Sequence, residues 1–332
     1  MNHFNPETSK TYSKAIPITK LVTFLMDSLT CILLASEVPN TDLLSEIPAY
    51  LTNHSILSNE YGTLLRGRCG NMVVSVKEDR VKLQVSLPKL SRGHSLWNMG
   101  ISDVQDSIVT ASDMLHLPID RALVKKVDFA WNLEMDCTPE VYMKYLGRNS
   151  RYARLENPHS LSYNLPSRNL CFYNKIREMK ADHNPIPREY EGSNILRYEK
   201  KYLKQVAKHF KKDALPVRML YDPSFYNTIR ENWYNDYLNI RKVRKPMVDF
   251  EAVKTKTQLY ATGTLALIEK VGGVQKMLQD IDEGRKRRRL SGKQVHDLKK
   301  AITSVGESKR ITTESYLIKE LDIKMAAAVF SY

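Results

Sequence analysis

The stretch "MVVSVKEDRVKLQVSL" at residues 72–87 contains two runs rich in β-branched residues on either side of Glu78, Asp79 and Arg80. Two such runs around a short polar turn favour a β-hairpin. The whole segment from residue 17 to 90 has a mainly extended pattern. We therefore predict antiparallel strands in the first part of the chain.

Beyond the hairpin, helical and extended patterns alternate. "DVQDSIVTASDMLH" (103–116) places apolar residues at helical spacing, with Asp103 in position to cap the helix. "ALVKKVDFAWNLEM" (122–135) is typical of a strand. "TPEVYMKYLG" (138–147) has Thr at a cap, Pro in the first turn and Gly at the end, which predicts a short helix.

Two further segments complete the alternation. "NLCFYNKIREMK" (169–180) is predicted to be a strand, and residues 193–212 are predicted to be a strand that passes into a basic helix. The alternation predicts an α+β domain over residues 17–215, with a largely antiparallel sheet and helices on one face.

After Pro216 the pattern is helical, which predicts a second, mainly helical domain over residues 216–332. Its four helical stretches are 223–240, 262–282, 291–305 and 314–330.

The charge balance restricts the class of partner. The chain has 332 residues, 42% of them hydrophobic, and a net charge of +14. Such a charge favours nucleic acid or an anionic membrane as partner. The most apolar run, residues 21–36, contains Asp27 and is shorter than the ~20 residues of a spanning helix. None of the four cysteines has CxxC spacing, so a reduced, cytosolic, nucleic-acid-binding protein is predicted.

Basic residues are concentrated in two places, where they are predicted to contact DNA phosphates. A solvated helix face is the alternative for both. The first group is Arg197, Lys200, Lys201, Lys204, Lys208, Lys211 and Lys212, and the second is Arg285, Lys286, Arg287, Arg288 and Arg289.

Tyr173 is the candidate nucleophile. If the strand continues through Lys175, then Cys171, Tyr173 and Lys175 share one face. A lysine at that spacing favours the phenolate or neutralises a phosphate under attack. The alternative is a tyrosine that packs its ring and points its hydroxyl to water, as most of the eighteen tyrosines must do.

Four residues are candidate metal ligands: Asp128, Glu178, Glu199 and His94. Asp128 lies in an apolar strand, where it needs a cation, hydrogen-bond donors or a metal; a salt bridge is the alternative. Glu199 is the lone acid of a basic segment and shares a strand face with Arg197. His94 follows a glycine in a loop, where a histidine taken alone is more often an ordinary surface residue. Carboxylates with one imidazole suit Mg²⁺ or Mn²⁺.

In order along the chain, "VSLPKLSRGHSLW", "KKVDFAWN", "CFYNKIRE" and "ILRYEKKYLKQVAKHF" resemble segments of the gene II replication initiators of filamentous phages and of related phage and plasmid replication proteins. The resemblance covers about residues 20 to 215. More distantly, the Tyr-x-Lys-x-x-Glu block resembles that of rolling-circle initiators of staphylococcal plasmids. The chain lacks the paired-histidine metal motif of the wider rolling-circle group.

The resemblance implies a metal-dependent nicking and joining enzyme in the cytoplasm of a bacterial host. A tyrosine attacks one strand of supercoiled origin DNA, stays on the 5′ phosphate and leaves a 3′-OH, and the displaced strand is later rejoined. Tyr173 falls at the nucleophile position, and Lys175 would assist it. Asp128 and Glu199 match the acidic positions best, then Glu178, then His94. A host helicase and polymerase are the implied partners, and a homodimer is left open.

Two alternatives remain at this point. One is a non-catalytic origin-binding initiator or repressor, in which the tyrosine block is structural and the helical region recognises DNA. The other is a mobilisation relaxase, which uses the same chemistry for transfer.

Overall fold

A computed structural model describes residues 26–60, 62–246, 253–306 and 312–330. The strands of this part of the chain are β1 (Met26–Leu34), β2 (Thr52–Asn59), β3 (Gly62–Cys69), β4 (Met72–Lys77), β5 (Arg80–Ser86), β6 (Leu123–Glu134), β7 (Leu146–Asn149), β8 (Ala153–Asn157), β9 (Ser160–Leu165), β10 (Arg168–Asn174), β11 (Ile195–Tyr202), β12 (Ile240–Lys242), β13 (Lys245–Pro246) and β14 (Thr312–Thr313). Its α-helices are α1 (Leu43–Glu46), α2 (Leu87–Arg92), α3 (Ile101–Leu115), α4 (Pro139–Met143), α5 (Lys175–Ala181), α6 (Val206–His209), α7 (Pro223–Leu238), α8 (Lys256–Lys270), α9 (Gly273–Lys286), α10 (Gly292–Gly306) and α11 (Tyr316–Phe330).

Ten strands form one sheet in the order β2-β3-β4-β5-β1-β6-β11-β10-β9-β8, and neighbouring strands run antiparallel. The predicted hairpin is confirmed, because β4 and β5 pair around Glu78 and Asp79 with Val76 opposite Val81. The predicted α+β class, with an antiparallel sheet and a helical C-terminal region, is confirmed as well.

The two faces of the sheet differ in character. On one face, apolar residues of the central strands pack with α3, α7 and α11 in the main core. For example, the ring of Tyr198 on β11 lies 4.5 Å from that of Trp233 on α7. In the described part of the chain the opposite face is mainly polar, and a small apolar cluster of Leu96, Ile176, Met179 and Ile195 lies at its end. Helices α3, α7 and α11 therefore pack against one face of the sheet, while short α5 lies on the other.

Two predicted helix boundaries were wrong. Helix α3 begins at Ile101, so Asp103 is its third residue, where the carboxylate accepts a hydrogen bond from the Gly100 N–H at 2.6 Å. Helix α4 ends at Met143, and Gly147 lies in a strand rather than at a helix end. Strand β7 forms there because it pairs with β12, and a Cβ at Gly147 would lie 3.0 Å from the Arg241 carbonyl oxygen.

The segment with the candidate nucleophile also differs from the prediction. Strand β10 ends at Asn174, and Lys175 begins α5. The Asn174 side chain accepts a hydrogen bond from the Arg177 N–H at 3.0 Å and so caps the helix. Lys175 therefore does not continue the strand face of Tyr173, because the backbone turns into a helix between them.

The core continues across the predicted domain boundary at residue 215. Helices α7 and α11 belong to the same apolar core as the sheet, whereas α8, α9 and α10 form a cluster of their own around Leu278 and Ile302. The outer ends of the predicted domains, residues 17–25 and 331–332, lie outside the described residues. The division at 215 stays a prediction, and the packing groups α7 and α11 with the sheet.

Candidate active site

The polar face of β6, β11 and β10 is the candidate site, and strand register determines which residues meet there. Tyr173 is opposite Arg197, and Arg197 is opposite Asn132. Glu199 is opposite Cys171, and Lys201 is opposite Asp128. Directly opposed residues on neighbouring strands point to the same side of a sheet. Three strands thus bring Tyr173, Glu199 and Asp128 to one face, although 71 residues separate Asp128 from Glu199 in the sequence.

The hydroxyl of Tyr173 donates a hydrogen bond to Oε1 of Glu199 at 2.8 Å. Both side chains line an open pocket of about 470 Å³, which Arg177, Glu178 and Lys201 also line. The simpler interpretation from sequence, a tyrosine hydroxyl pointing to water, is therefore not what the structure shows. The hydroxyl is held by a carboxylate at the edge of a cavity.

Arg197 lies beneath this pair and fixes the carboxylate. Its Nε donates to Glu199 Oε1 at 2.8 Å, its Nη1 donates to the Ser95 carbonyl oxygen at 2.9 Å and to Asn132 Oδ1 at 3.0 Å, and its Nη2 lies 2.7 Å from Asp27 Oδ1. Arg197 is only 2% exposed. The expectation that it lies at the surface and grips DNA was wrong, because these groups hold its guanidinium inside the protein.

Charge around Glu199 determines the protonation of the pair. Burial by itself would raise the pKa of Glu199, but Arg197 and Lys201 outweigh it and hold that pKa at about 2. Lys201 Nζ lies 2.9 Å from Glu199 Oε2. Burial raises the pKa of Tyr173 well above its ordinary value, although Arg197 acts to lower it. The phenol therefore stays protonated, and the ionised Glu199 is its acceptor.

Lys175 and Glu178 form an ion pair beside this centre. Lys175 Nζ donates to Glu178 Oε2 at 2.7 Å and lies 5.8 Å from the centroid of the Tyr173 ring. Burial lowers the pKa of Lys175, and Arg197 lowers it further. Glu178 does line the same pocket as Tyr173, but its carboxylate is held by a lysine.

Asp128 and His94 have other partners. Asp128 accepts a hydrogen bond from the Ser28 hydroxyl at 2.7 Å, and burial raises its pKa to about 6 although Lys201 acts to lower it. His94 Nδ1 accepts from the Leu96 N–H at 3.3 Å, and its ring lies 6.0 Å from that of Tyr190.

These contacts bear on the predicted four-ligand metal site. Among the described residues, no group of three or more His, Cys, Asp or Glu side chains is arranged to hold a metal ion. Glu199 and Glu178 face lysine or arginine, and Asp128 faces a serine. The four residues do not fit a shared metal in this arrangement.

The remaining predicted DNA contacts divide by exposure. Lys200 was expected at the surface, but it points into the core and pairs with Asp236 on α7 at 2.8 Å, because it alternates with Glu199 and Lys201 along β11. Lys204 is exposed. So is the second basic group, at the end of α9: Arg285, Lys286, Arg287, Arg288 and Arg289. DNA binding by these exposed residues stays a prediction.

Sequence reasoning missed the residues that position Arg197. Asp27 was noted only as an acid that interrupts an apolar run, and Ser95 acts through its backbone, which no sequence pattern marks. The available signal was Asp27 itself, since an aspartate within an apolar strand requires a partner.

A search of the helices in the described residues found none with the length and apolar character needed to span a membrane.

Comparison with known proteins gives the family. Residues 54–233, more than half of the chain, match a phage family described as the N-terminal part of a replication-associated protein. The matched range runs from β2 into α7 and includes Tyr173, Glu199 and Arg197. No curated protein gives a significant match. The chain belongs to this family of phage replication-associated proteins, and its role is that of a replication initiator.

Proposed function

We propose that the protein is a site-specific DNA nicking and joining enzyme that initiates rolling-circle replication, with Tyr173 as nucleophile. The observation that carries the proposal is the hydrogen bond from the Tyr173 hydroxyl to Glu199 at the edge of an open pocket. Membership of a phage replication family supports origin DNA as the substrate.

In the proposed reaction, the Tyr173 oxygen attacks the phosphorus of one phosphodiester and forms a new O–P bond. The bond from phosphorus to the 3′ oxygen breaks, and that oxygen leaves with the bonding electron pair and takes a proton from water. Glu199 accepts the phenol proton as the new bond forms. Because its pKa is about 2, Glu199 holds that proton only briefly, so its main contribution is to orient the hydroxyl. The reverse reaction rejoins the strand without an external energy source, since the phosphotyrosine conserves the bond.

Cations of the pocket would stabilise the phosphate. Lys201 is about one-third exposed. Burial acts to lower the pKa of Lys201, yet Glu199 and Asp128 raise it, so its ammonium group stays charged. With Arg177 it lines the pocket and is placed to meet the extra negative charge of the transition state. Lys175 lies over the tyrosine ring, so we assign it to holding Glu178 and the ring rather than to the phosphate.

The proposal extends to partners. An initiator that leaves a 3′-OH on origin DNA requires a host polymerase and helicase, and such DNA lies in the cytoplasm of a bacterial host. A requirement for Mg²⁺ or Mn²⁺ is what the family resemblance implies. The proposed reaction contains no step through a metal ion. Omission of Mg²⁺ and Mn²⁺ from the nicking assay tests whether a metal is required.

The deciding experiment is incubation of the protein with its own supercoiled replicon and Mg²⁺ or Mn²⁺, followed by mapping of the residue attached to DNA. Tyr173→Phe should abolish both the nick and the covalent adduct while DNA affinity is retained, because only the nucleophilic oxygen is lost. Tyr190→Phe is the matched control and should react like the wild type. An adduct on another residue, or nicking by Tyr173→Phe at the wild-type rate, would falsify the assignment.

The same assay separates the alternatives. A non-catalytic initiator or repressor would bind the replicon without any adduct. A mobilisation relaxase would form the adduct at a transfer origin rather than at the replication origin. Phage replication-family membership favours the replication origin.

A further inference from the structure

We propose that the open face of β2, β3, β4 and β5 is a DNA-binding surface that continues from the Tyr173 pocket and holds the backbone of the strand being cut. The inference rests on the proposed function for the identity of its ligand. The residues that carry it lie outside both basic groups apparent in the sequence.

Charge on these four strands has one sign. They contain five basic residues and no Asp or Glu: Arg66, Arg68, Lys77, Arg80 and Lys82. An ordinary solvated sheet face carries both signs interspersed. In the described part of the chain, only Arg80 of the five makes an ion pair, with Asp79 in the adjoining turn at 3.5 Å.

Register places all five cations on the same face. Arg66 is opposite Ser75, Ser75 is opposite Lys82, and Lys77 is opposite Arg80. Arg68 shares the face of Arg66 because the two are separated by one residue. The other face of these strands is apolar and lies in the main core, with Leu65, Val74 and Leu83 buried. The cations therefore point away from the core, and Arg66, Arg68 and Lys82 are exposed.

This surface is continuous with the active site. Lys201 in the pocket is opposite Asp128, and Lys126, two residues earlier on β6, is exposed on the same face. Lys126 is opposite Thr30, and Thr30 is opposite Gln84, which lies two residues from Lys82. These residues therefore lie on one face of the sheet from Tyr173 on β10 to Arg66 on β3, and Thr30 on β1, midway along it, is itself buried between Lys126 and Gln84.

The dimensions suit a nucleic-acid backbone. From β10 to β3 the sheet order contains six inter-strand steps, which at about 4.8 Å each correspond to roughly 29 Å. At about 3.4 Å per phosphate of one duplex strand, that length accommodates roughly eight phosphates. Exposed arginines and lysines along such a path neutralise phosphates without reading bases.

The test measures binding separately from chemistry. The full-length triple variant Arg66→Gln/Arg68→Gln/Lys82→Gln is compared with Arg121→Gln/Arg218→Gln/Lys319→Gln, which removes three exposed cations from the helix-covered side of the sheet. The probes are a labelled single strand and a labelled duplex of about 20 nucleotides or base pairs, more than twice the proposed contact length. Affinity is measured as a function of salt concentration, with Tyr173→Phe as background so that no cleavage occurs.

The first triple variant should bind on the order of tenfold or more weakly at low salt. Its slope of log affinity against log salt should fall by about 2 to 3, since each lost phosphate contact removes about 0.7 to 0.9. The probe that loses more affinity, single strand or duplex, is the form this surface holds. The control triple variant loses the same three charges, so its affinity and its slope should change only by the small effect of a lower net charge.

Equal affinity and slope for the two triple variants overturn the inference. If the first triple variant does not fold, the single variants Arg66→Gln and Arg68→Gln are measured instead. A slope of log affinity against log salt equal to that of the wild type in both variants also overturns the inference. A weakened first triple together with no adduct at Tyr173 in the wild type removes the proposed function and keeps the binding surface. An adduct at Tyr173 together with unchanged DNA binding by the first triple variant keeps the proposed function and removes the binding surface.

Discussion

At the scale of single residues, Arg197 determines the geometry of the site. Four groups from four different segments accept its hydrogen bonds or ion pairs, so it joins β1, β6, β11 and the loop after α2. Burying this charge is tolerable only because each direction of the guanidinium has a partner. The orientation of Glu199, and with it the Tyr173 hydroxyl, depends on this arrangement.

We therefore expect Arg197→Lys to be strongly destabilising, although charge is retained. A lysine presents its donors from one point and cannot reach Glu199, Asn132 and Asp27 together, which leaves buried acceptors unsatisfied. The expected loss in the free energy of unfolding is about 2 to 4 kcal/mol, measured by urea denaturation. The exposed Arg121→Lys should stay within about 0.5 kcal/mol of the wild type. A loss below that level for Arg197→Lys would contradict the structural role.

Asp128 predicts a pH dependence of stability. Its pKa is about 6 in the folded protein against an ordinary value of 3.8, so between these pH values the folded state binds the proton more tightly than the unfolded state. Stability associated with this group is therefore complete below pH 4 and is lost as the pH rises through 6.

Asp128→Asn should accordingly raise the free energy of unfolding by about 1 to 3 kcal/mol above pH 7, with the gain shrinking toward zero near pH 4. Denaturation curves at both pH values measure the effect. Asp106→Asn, an exposed substitution on α3, serves as control and should change the free energy of unfolding by no more than about 0.5 kcal/mol. A loss of stability at pH 8 in Asp128→Asn would show that its contacts with Ser28 and Lys201 outweigh the cost of burial.

At the scale of elements, the change from β10 to α5 decides what surrounds the nucleophile. Sequence pattern predicts a strand through Lys175, since the apolar positions up to Phe172 are extended. The strand stops because Asn174 caps a helix, and this turns Lys175 and Glu178 into a helical pair spaced three residues apart. Such a cap competes with the strand pattern, so a single sequence leaves the boundary undecided.

Asn174→Ala should remove this cap and cost about 0.5 to 2 kcal/mol of unfolding free energy. It should also slow adduct formation at Tyr173, because α5 carries pocket residues Arg177 and Glu178. Asn174→Ser, which keeps a capping oxygen, should recover most of the stability. Equal stability of the Ala and Ser variants would mean that packing by Ile176 and Met179, rather than the cap, holds α5.

At the scale of the whole molecule, the two larger apolar cores of the described residues do not follow the domain boundary predicted at residue 215. The main core includes the sheet, α7 and α11, and the smaller one belongs to α8, α9 and α10. Pro246 on β13 pairs with Thr312 on β14, so the two ends of the segment between them are adjacent.

Replacement of residues 247–311 by a short Gly-Ser linker should therefore leave a folded protein that still forms the Tyr173 adduct. The linker can be short because the paired strands bring its ends together, and the deletion removes the second basic group. A truncation after residue 215 should instead fail to fold, since it removes α7 and exposes Tyr198 and Phe172 of the main core. Circular dichroism and thermal unfolding distinguish the two shortened proteins, and a stable 1–215 fragment would support the predicted boundary over the packing.

The sequence by itself determined the class of the fold, the antiparallel hairpin at residues 72–87, the C-terminal helices and the strand face shared by Arg197, Glu199 and Lys201. Each of these depends on local periodicity, which a single chain displays directly. Only the tertiary structure decided that Arg197 and Lys200 are buried, that Asp27 and Asn132 hold Arg197, and that the five cations of β3 to β5 face the same way as Tyr173. These facts depend on the order and register of strands distant in sequence, and the register fixes which side chains meet across the sheet.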